Sequence, residues 1–241
     1  MSNKLVLICG CGHTGSSILA RLIGAHPSIY FVNHESGMFL ANRFYNEDEY
    51  FNKFISLSSL ESKSLILEKT PRHVWHIDYI RRKHPNTKFI LTTRDGRDTV
   101  ASLYARTKDF QASLKRYADD SIMSLRQIKM TDTMLSRYED LIDDPTNHLD
   151  KLCNWIGIDF RSEMLEYHNK AISWNMDNPY SFGNLEEHDH LRNKQVNSPL
   201  YKQTLNWKDR IPNEFVTQVN KFFLSGNLGH TIMCDFGYKD F

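Results

Sequence analysis

The sequence predicts a single α/β domain in which a central parallel sheet is flanked by helices. Short apolar runs alternate with longer amphipathic segments over about the first 165 residues, an order typical of parallel sheets. The first run, at residues 5–9, is continuously apolar, as expected for a central strand buried on both faces. A glycine-rich loop at residues 10–15 follows and leads into a segment of helical spacing, an order that resembles a phosphate-binding loop.

The remaining elements are predicted from the same periodicities and from residues that start or stop helices. Strands are predicted at residues 4–9, 28–33, 64–67, 87–93 and 133–138. Helices are predicted at residues 16–25, 35–45, 47–60, 70–83, 98–107, 110–129, 145–156 and 212–224. Pro27 stops the first helix, and Thr70 followed by Pro71 suits the start of the fourth. Residues 1–241 are therefore expected to form one domain.

Residues 169–205 differ from the rest of the chain. Asn, His, Pro and Ser cluster there with weak periodicity, which predicts a long irregular segment. Two interpretations stay open: a lid or other substrate-facing segment, or a surface excursion without function.

Composition excludes several classes of protein. Lys and Arg number 30 and Asp and Glu 29, so any anion site must be built locally and no nucleic-acid partner is expected. The apolar runs are too short for a membrane span or a secretory leader, which predicts a cytoplasmic protein with no membrane partner. The spacing of Cys9, Cys11, Cys153 and Cys234 suits neither a disulfide framework nor a zinc site, so reduced thiols and no metal are expected.

The glycine loop matches the spacing of a nucleoside-triphosphate phosphate loop except at one position. Ser16 stands where such a loop carries the lysine that spans the β- and γ-phosphates. This difference predicts a ligand with a bound 5′-phosphate but no triphosphate tail. The alternative is a glycine turn selected for tight packing, and the strand–loop–helix context argues against it. The candidate binding residues are Gly12, His13, Thr14, Gly15, Ser16 and Ser17.

A second candidate anion site follows the fourth strand. Arg94 ends that strand, Ser102 lies eight residues later, and Arg106 lies one helical turn beyond Ser102. Because the carboxyl ends of parallel strands share one edge of the sheet, this site and the loop are expected to be neighbours. Together they predict a nucleotide with two separate phosphate-like groups. The alternative is a structural Arg–Asp pair beside a solvated Arg106.

The two motifs in this order resemble the sulfotransferases that use 3′-phosphoadenosine 5′-phosphosulfate (PAPS). The loop resembles their 5′-phosphosulfate loop, and residues 89–104 (FILTTRDGRDTVASLY) resemble their 3′-phosphate motif. Residues 67–71 (LEKTP) and 138–141 (YEDL) are similar to further family motifs. Arg106 and residues 25–27 (AHP) resemble the tyrosylprotein-sulfotransferase-like branch. The resemblance covers roughly residues 4–160 well and 200–240 weakly.

The resemblance implies PAPS as co-substrate, 3′-phosphoadenosine 5′-phosphate (PAP) as product, and no metal. It assigns the 3′-phosphate to Arg94 and Ser102, adds Arg106, and places Tyr138 in the nucleotide pocket. One position departs from the family. His13 stands where the family loop carries the Arg or Lys that holds the 5′-phosphosulfate and steadies the leaving phosphate. A histidine does so only as a cation or as a neutral N–H donor.

The catalytic candidates implied by the resemblance are Glu35, Lys69, Glu68 and His13. Glu35 matches, within a one-residue gap, the base of the tyrosylprotein-like branch, and Glu68 matches the base of the heparan-type branch. His34 is a chemical equivalent of the histidine base of other members. Lys69 is expected to stabilise the sulfuryl group and the bridging oxygen. Because neighbouring side chains on a strand point to opposite faces, a Lys69 that faces the donor favours Glu35 over Glu68 as base.

The predicted function is sulfuryl transfer from PAPS to a hydroxyl or amine of a small-molecule acceptor. Two alternatives remain at this point: a P-loop small-molecule kinase and a non-catalytic nucleotide-binding protein. Ser16 argues against the kinase. The presence of Glu35, Lys69, Arg94 and Ser102 together argues against the binding protein, which has no evident use for a carboxylate and an ammonium at the transfer point. The sequence predicts no oligomeric state.

Overall fold

Five parallel strands form one sheet in a computed structural model that describes residues 4–40, 46–174, 193–200 and 206–239. The strand order is β2-β3-β1-β4-β5. The strands are β1 (Lys4–Gly10), β2 (Ile29–Phe31), β3 (Leu65–Lys69), β4 (Lys88–Thr93) and β5 (Thr133–Arg137). The predicted parallel α/β domain is thereby confirmed.

Residues 193–196 are helical, and nine further helices with both ends inside the described ranges surround the sheet. They are α1 (Ser16–Gly24), α2 (Glu47–Leu60), α3 (Ile77–Lys83), α4 (Gly96–Thr107), α5 (Phe110–Leu125), α6 (Tyr138–Asp143), α7 (Pro145–Ile156), α8 (Asn213–Phe222) and α9 (Leu228–Asp235). Short 3₁₀ turns lie at Pro71–His76, Ser162–Met164, Tyr167–Asn169 and Trp207–Arg210. No helix in the described parts of the chain is long and apolar enough to cross a membrane.

Strand β1 is the centre of the sheet and its side chains enter both faces. Val6 and Ile8 join a core with α1 and α7, whereas Leu5, Leu7 and Cys9 join a core that includes residues of α2 and α3. Burial on both faces explains why this strand is apolar throughout rather than alternating. A third core lies between α4, α5 and the C-terminal helices.

The register of the strands fixes what meets at their carboxyl ends. Ile8 of β1 lies beside Lys69 of β3, and Gly10 lies beside Thr92 of β4. The glycine loop therefore begins between the ends of β3 and β4. Phe31 of β2 pairs with Leu67 of β3, so the segment after β2 reaches the same edge.

The predicted helix at residues 35–45 is wrong over residues 35–40, where the chain makes bends and a turn, and residues 41–45 lie outside the described ranges. The backbone N–H groups of Ser36, Gly37 and Phe39 donate to side chains of β3 and the following turn instead of to helical carbonyls. Gly37 also has a φ of +60°, which a right-handed helix does not allow.

Smaller differences concern the other helices. The helix predicted at residues 70–83 divides into the 3₁₀ turn Pro71–His76 and α3, and the sequence did not predict α6 or α9. Within the irregular segment predicted at 169–205, residues 175–192 and 201–205 lie outside the described ranges. Its described part is held by two asparagines: Asn193 bonds the backbone of Trp174, and Asn197 bonds the backbone of Ile172.

Candidate active site

The glycine loop makes a tight turn at the end of β1. Gly10, His13 and Gly15 all have positive φ, at +128°, +70° and +83°. A Cβ on Gly10 would lie 2.7 Å from the carbonyl oxygen of Thr92, so only glycine fits there. Thr14 fixes the loop, since its hydroxyl lies 2.8 Å from the carbonyl of Cys11 and 2.7 Å from Oγ1 of Thr92. The Thr14 side chain is thus used to shape the loop.

The loop delivers the chain into α1. Because the N-cap is Gly15, no side chain caps the first turn of α1. Uncapped backbone N–H groups at a helix N-terminus favour an anion. Ser16 is buried and Ser17 is half-buried at this end of the helix. The predicted 5′-phosphate cradle therefore has the backbone geometry that such a ligand needs.

Arg94 leaves β4 directly beside this loop. Its guanidinium lies 4.6 Å from the ring centre of Tyr138, and the same ring lies 2.5 Å from where a Cβ on Gly15 would be. Tyr138 thus separates the loop from Arg94 by one ring and holds the guanidinium by a cation–π contact. Arg94 is mostly buried, and its Nε has no hydrogen-bond partner among the described residues.

A direct hydrogen bond joins the glycine loop to the predicted second anion site. Nδ1 of His13 lies 2.9 Å from Oγ of Ser102 on α4. The imidazole of His13 is therefore directed toward Ser102, a residue of the predicted second anion site. Arg106, one turn further along α4, is exposed.

Arg210 is a cation at this site that sequence reasoning missed. It belongs to the 3₁₀ turn Trp207–Arg210 and pairs with Asp98, whose other carboxylate oxygen lies 3.4 Å from Nη2 of Arg94. Burial lowers the pKa of Arg210, and the nearby positive charge of Arg94 adds to this effect while Asp98 opposes it. Because this contact spans 112 residues of sequence, no local signal could have revealed it.

Lys69 and Glu35 form an ion pair at the carboxyl edge of the sheet. The Lys69 side chain is 1% exposed, and its ammonium lies 4.8 Å from the centre of the Trp174 ring. The Glu35 side chain is 20% exposed. The pair thus has a buried cation and a carboxylate that solvent or a substrate can reach.

Glu68 lies elsewhere, inside a buried hydrogen-bond network. Its Oε1 accepts from the backbone N–H and hydroxyl of Ser36, at 3.0 and 2.9 Å, and from the hydroxyl of Thr70 at 2.5 Å. Its Oε2 lies 3.2 Å from Nδ1 of His73. Burial by itself raises the pKa of Glu68, but the attraction of His73 and the bonds from Thr70 and Ser36 outweigh it and lower the pKa.

The structure therefore separates the two candidate bases. Glu68 is fully buried and its carboxylate is occupied by neighbouring donors, whereas Glu35 is partly open beside Lys69. His34, the third candidate, lies near Phe54 of α2, with 6.2 Å between the ring centres. No cluster of three or more His, Cys, Asp or Glu within the described ranges is arranged to hold a metal ion.

The parallel sheet thus carries a glycine loop, an uncapped helix N-terminus and a mostly buried arginine at one edge. The sequence profile of the sulfotransferase family matches residues 38–162, just over half of the chain. The chain therefore belongs to the sulfotransferase family, and it is a sulfotransferase enzyme.

Three known proteins illustrate the relationship. A putative protein-tyrosine sulfotransferase of Caenorhabditis briggsae is 23% identical over 195 residues, which cover 68% of this chain and 69% of that protein. The sulfotransferase domain of the Synechococcus PCC 7002 olefin synthase has a TM-score of 0.59 at 15% identity, over 99% of this chain and 96% of that one. Mouse sulfotransferase SULT7A1, solved with PAP, has a TM-score of 0.58 at 16% identity, over 95% and 86% of the two chains.

Proposed function

We propose that this enzyme transfers a sulfuryl group from PAPS to the hydroxyl or amine of a small-molecule acceptor. The observation that carries the proposal is the hydrogen bond of His13 to Ser102, which joins the glycine loop to α4 at one edge of the sheet. PAPS has two phosphate groups at separate positions on its ribose, and a nucleoside triphosphate does not. Ser16, in place of the usual phosphate-loop lysine, supports the same choice.

The residues present fit such a nucleotide. The loop and the first turn of α1 would hold the 5′-phosphosulfate, and Arg94 with Ser102 would hold the 3′-phosphate. The buried Nε of Arg94 has no hydrogen-bond partner in the described residues, which suits a guanidinium that awaits an anion. Exposed Arg106, one turn beyond Ser102, would reach the same phosphate from solvent.

The transfer breaks the bond between sulfur and the bridging oxygen of PAPS and forms a bond between sulfur and the acceptor atom. Glu35 would take the proton that the acceptor loses. Lys69 would stabilise the charge on the sulfuryl oxygens and on the bridging oxygen, which leaves with PAP. The ion pair of Glu35 with Lys69 makes the proposed base and the proposed cation immediate neighbours.

Calorimetric titration tests the donor. Purified protein would be titrated with PAP, AMP and ATP-magnesium under one set of conditions. We expect tight binding of PAP and much weaker binding of AMP, because only PAP fills both anion groups. A preference for ATP-magnesium would favour a kinase, and absence of any binding would contradict the proposal.

The acceptor is tested separately. The relative from Caenorhabditis briggsae is named as a putative protein-tyrosine sulfotransferase, which favours a tyrosine peptide as the second candidate acceptor. Radiolabelled PAPS would be offered with simple alcohols, phenols, primary amines and tyrosine-containing peptides. We expect labelling of a small hydroxyl compound or amine, and labelling of peptides alone would overturn the small-molecule assignment.

A further inference from the structure

The loop lacks a permanently charged side chain of its own. His13 stands at the position of the basic loop residue, and its Nδ1 lies 2.9 Å from Oγ of Ser102 on α4. Ser16 stands at the other position where phosphate loops carry a cation. A doubly anionic ligand at this loop would need positive charge from another element.

Arg116 of α5 lies over the loop. A Cβ placed on Gly12 would be 2.8 Å from Nη2 of Arg116, so the guanidinium occupies the space beside the Gly12 Cα. Gly12 is not among the glycines with positive φ, so its backbone does not require glycine. A side chain at position 12 would therefore have to displace the end of the Arg116 side chain.

Asp120 contacts Arg116 and is itself held by Trp75. Oδ2 of Asp120, one turn along α5, lies 3.5 Å from Nε of Arg116. Oδ1 of Asp120 accepts a 2.6 Å hydrogen bond from Nε1 of Trp75, in the 3₁₀ turn just after β3. The Asp120 side chain is 2% exposed and that of Arg116 is 30% exposed. The carboxylate is thus a buried anchor, and the arginine reaches from it toward an open surface.

We propose that Arg116 binds the 5′-phosphosulfate of the donor and replaces, from α5, the cation that the loop lacks. Asp120 is a positioning residue that sets the direction of the guanidinium. The arginine would also stabilise the charge that collects on the bridging oxygen when PAP leaves. This inference rests on the proposed function, and it adds a binding residue from outside the loop.

The two adenosine monophosphates, 5′-AMP and 3′-AMP, test the two proposed phosphate sites one at a time. Calorimetry would compare 5′-AMP, 3′-AMP and PAP on the wild type, Arg116→Gln, Arg94→Ala and Lys115→Gln. We expect Arg116→Gln to lower the affinity for 5′-AMP and for PAP by about 10- to 100-fold and to leave the affinity for 3′-AMP unchanged. Arg94→Ala should lower the affinity for 3′-AMP and PAP but not for 5′-AMP. Lys115, exposed on the same helix and paired with Asp119, is the matched control and should change nothing.

The outcomes distinguish this inference from the proposed function. If the wild type binds PAP and Arg116→Gln binds 5′-AMP equally well, the inference is overturned and the proposed function stands. If the wild type binds none of the three nucleotides, both are overturned. Arg116→Lys keeps the charge without the forked geometry and should lie between the wild type and Arg116→Gln. It keeps the test valid should the glutamine variant fold poorly.

A double-variant comparison tests the role of Asp120. Asp120→Asn should lower the affinity for 5′-AMP. The double variant with Arg116→Gln should bind 5′-AMP no more weakly than Arg116→Gln alone does. If the losses of 5′-AMP affinity in the two single variants add up in the double variant, the positioning role of Asp120 is overturned. Lower stability without any change in 5′-AMP affinity would also overturn it.

Discussion

The ammonium of Lys69, at the end of β3, is enclosed between the carboxylate of Glu35 and the ring of Trp174. Glu35 reaches this position because Phe31 of β2 pairs with Leu67 of β3, which carries the following segment to the same edge. The ion pair therefore depends on the alignment of two strands. It places a partly exposed carboxylate next to a buried cation, beside the start of the glycine loop.

Glu35→Gln should lower kcat by about 10²- to 10⁴-fold, the usual contribution of a general base. The affinity for PAP should stay within a few-fold, because Glu35 is assigned to the acceptor. Turnover and calorimetry on the same preparation check both parts. Glu49→Gln removes an exposed carboxylate on α2 and serves as the control. If Glu68→Gln abolishes turnover while Glu35→Gln does not, the assignment of the base is wrong.

Lys69→Met should weaken binding of PAPS more than binding of PAP, because the ammonium is assigned to the sulfuryl group that PAP lacks. It should also lower kcat, since the charge on the bridging oxygen loses its partner. Competition between the two nucleotides, measured in the absence of acceptor, gives the ratio directly. Equal losses for PAPS and PAP would contradict the assignment.

Arg94→Ala should weaken PAP by roughly 1.5–3 kcal/mol, the usual worth of a hydrogen bond to a charged group. Ser102→Ala should weaken PAP less, because a neutral hydroxyl is lost. Titration with 5′-AMP is the control, since this ligand has no 3′-phosphate. If Arg94→Ala binds PAP as tightly as the wild type does, the assignment of the 3′-phosphate to Arg94 is wrong.

Glu68→Gln should destabilise the fold by roughly 1.5–3 kcal/mol at neutral pH, because a buried acceptor of several hydrogen bonds loses its charge. The pKa of Glu68 is lower in the folded protein than its ordinary value of 4.5. The contribution of the Glu68 charge to the free energy of unfolding is therefore fully present above pH 4.5. It is lost as the pH falls through the lower pKa of the folded state.

Urea unfolding at several pH values checks this expectation. The stability gap between the wild type and Glu68→Gln should be largest at neutral pH and should narrow below about 4.5. Glu49→Gln, on an exposed surface, should show a small gap at every pH. If the difference in stability between the wild type and Glu68→Gln does not depend on pH, the charge of Glu68 is not what stabilises the network.

Local patterns account for the parts that were predicted correctly. A continuous apolar run, a glycine loop and helical spacing are each encoded within about 20 residues, and they predicted β1, the loop and α1. The placement of Arg94 beside the loop also followed from a general rule, since parallel strands share their carboxyl edge. The helix predicted at 35–45 is wrong over residues 35–40, because Glu68, Thr70 and His73 accept from the backbone N–H groups that a helix would use.

The sequence by itself determined the parallel α/β order, the loop and the spacing of Arg94 and Ser102, because each of these is written in neighbouring residues. Strand alternation already favoured Glu35 over Glu68, but only the tertiary structure showed Glu35 paired with Lys69 and partly exposed while Glu68 is buried. Only the tertiary structure brought Arg116 over Gly12. These contacts depend on how strands align and how α5 packs on the sheet, and such long-range packing leaves no signal in the local pattern of the chain.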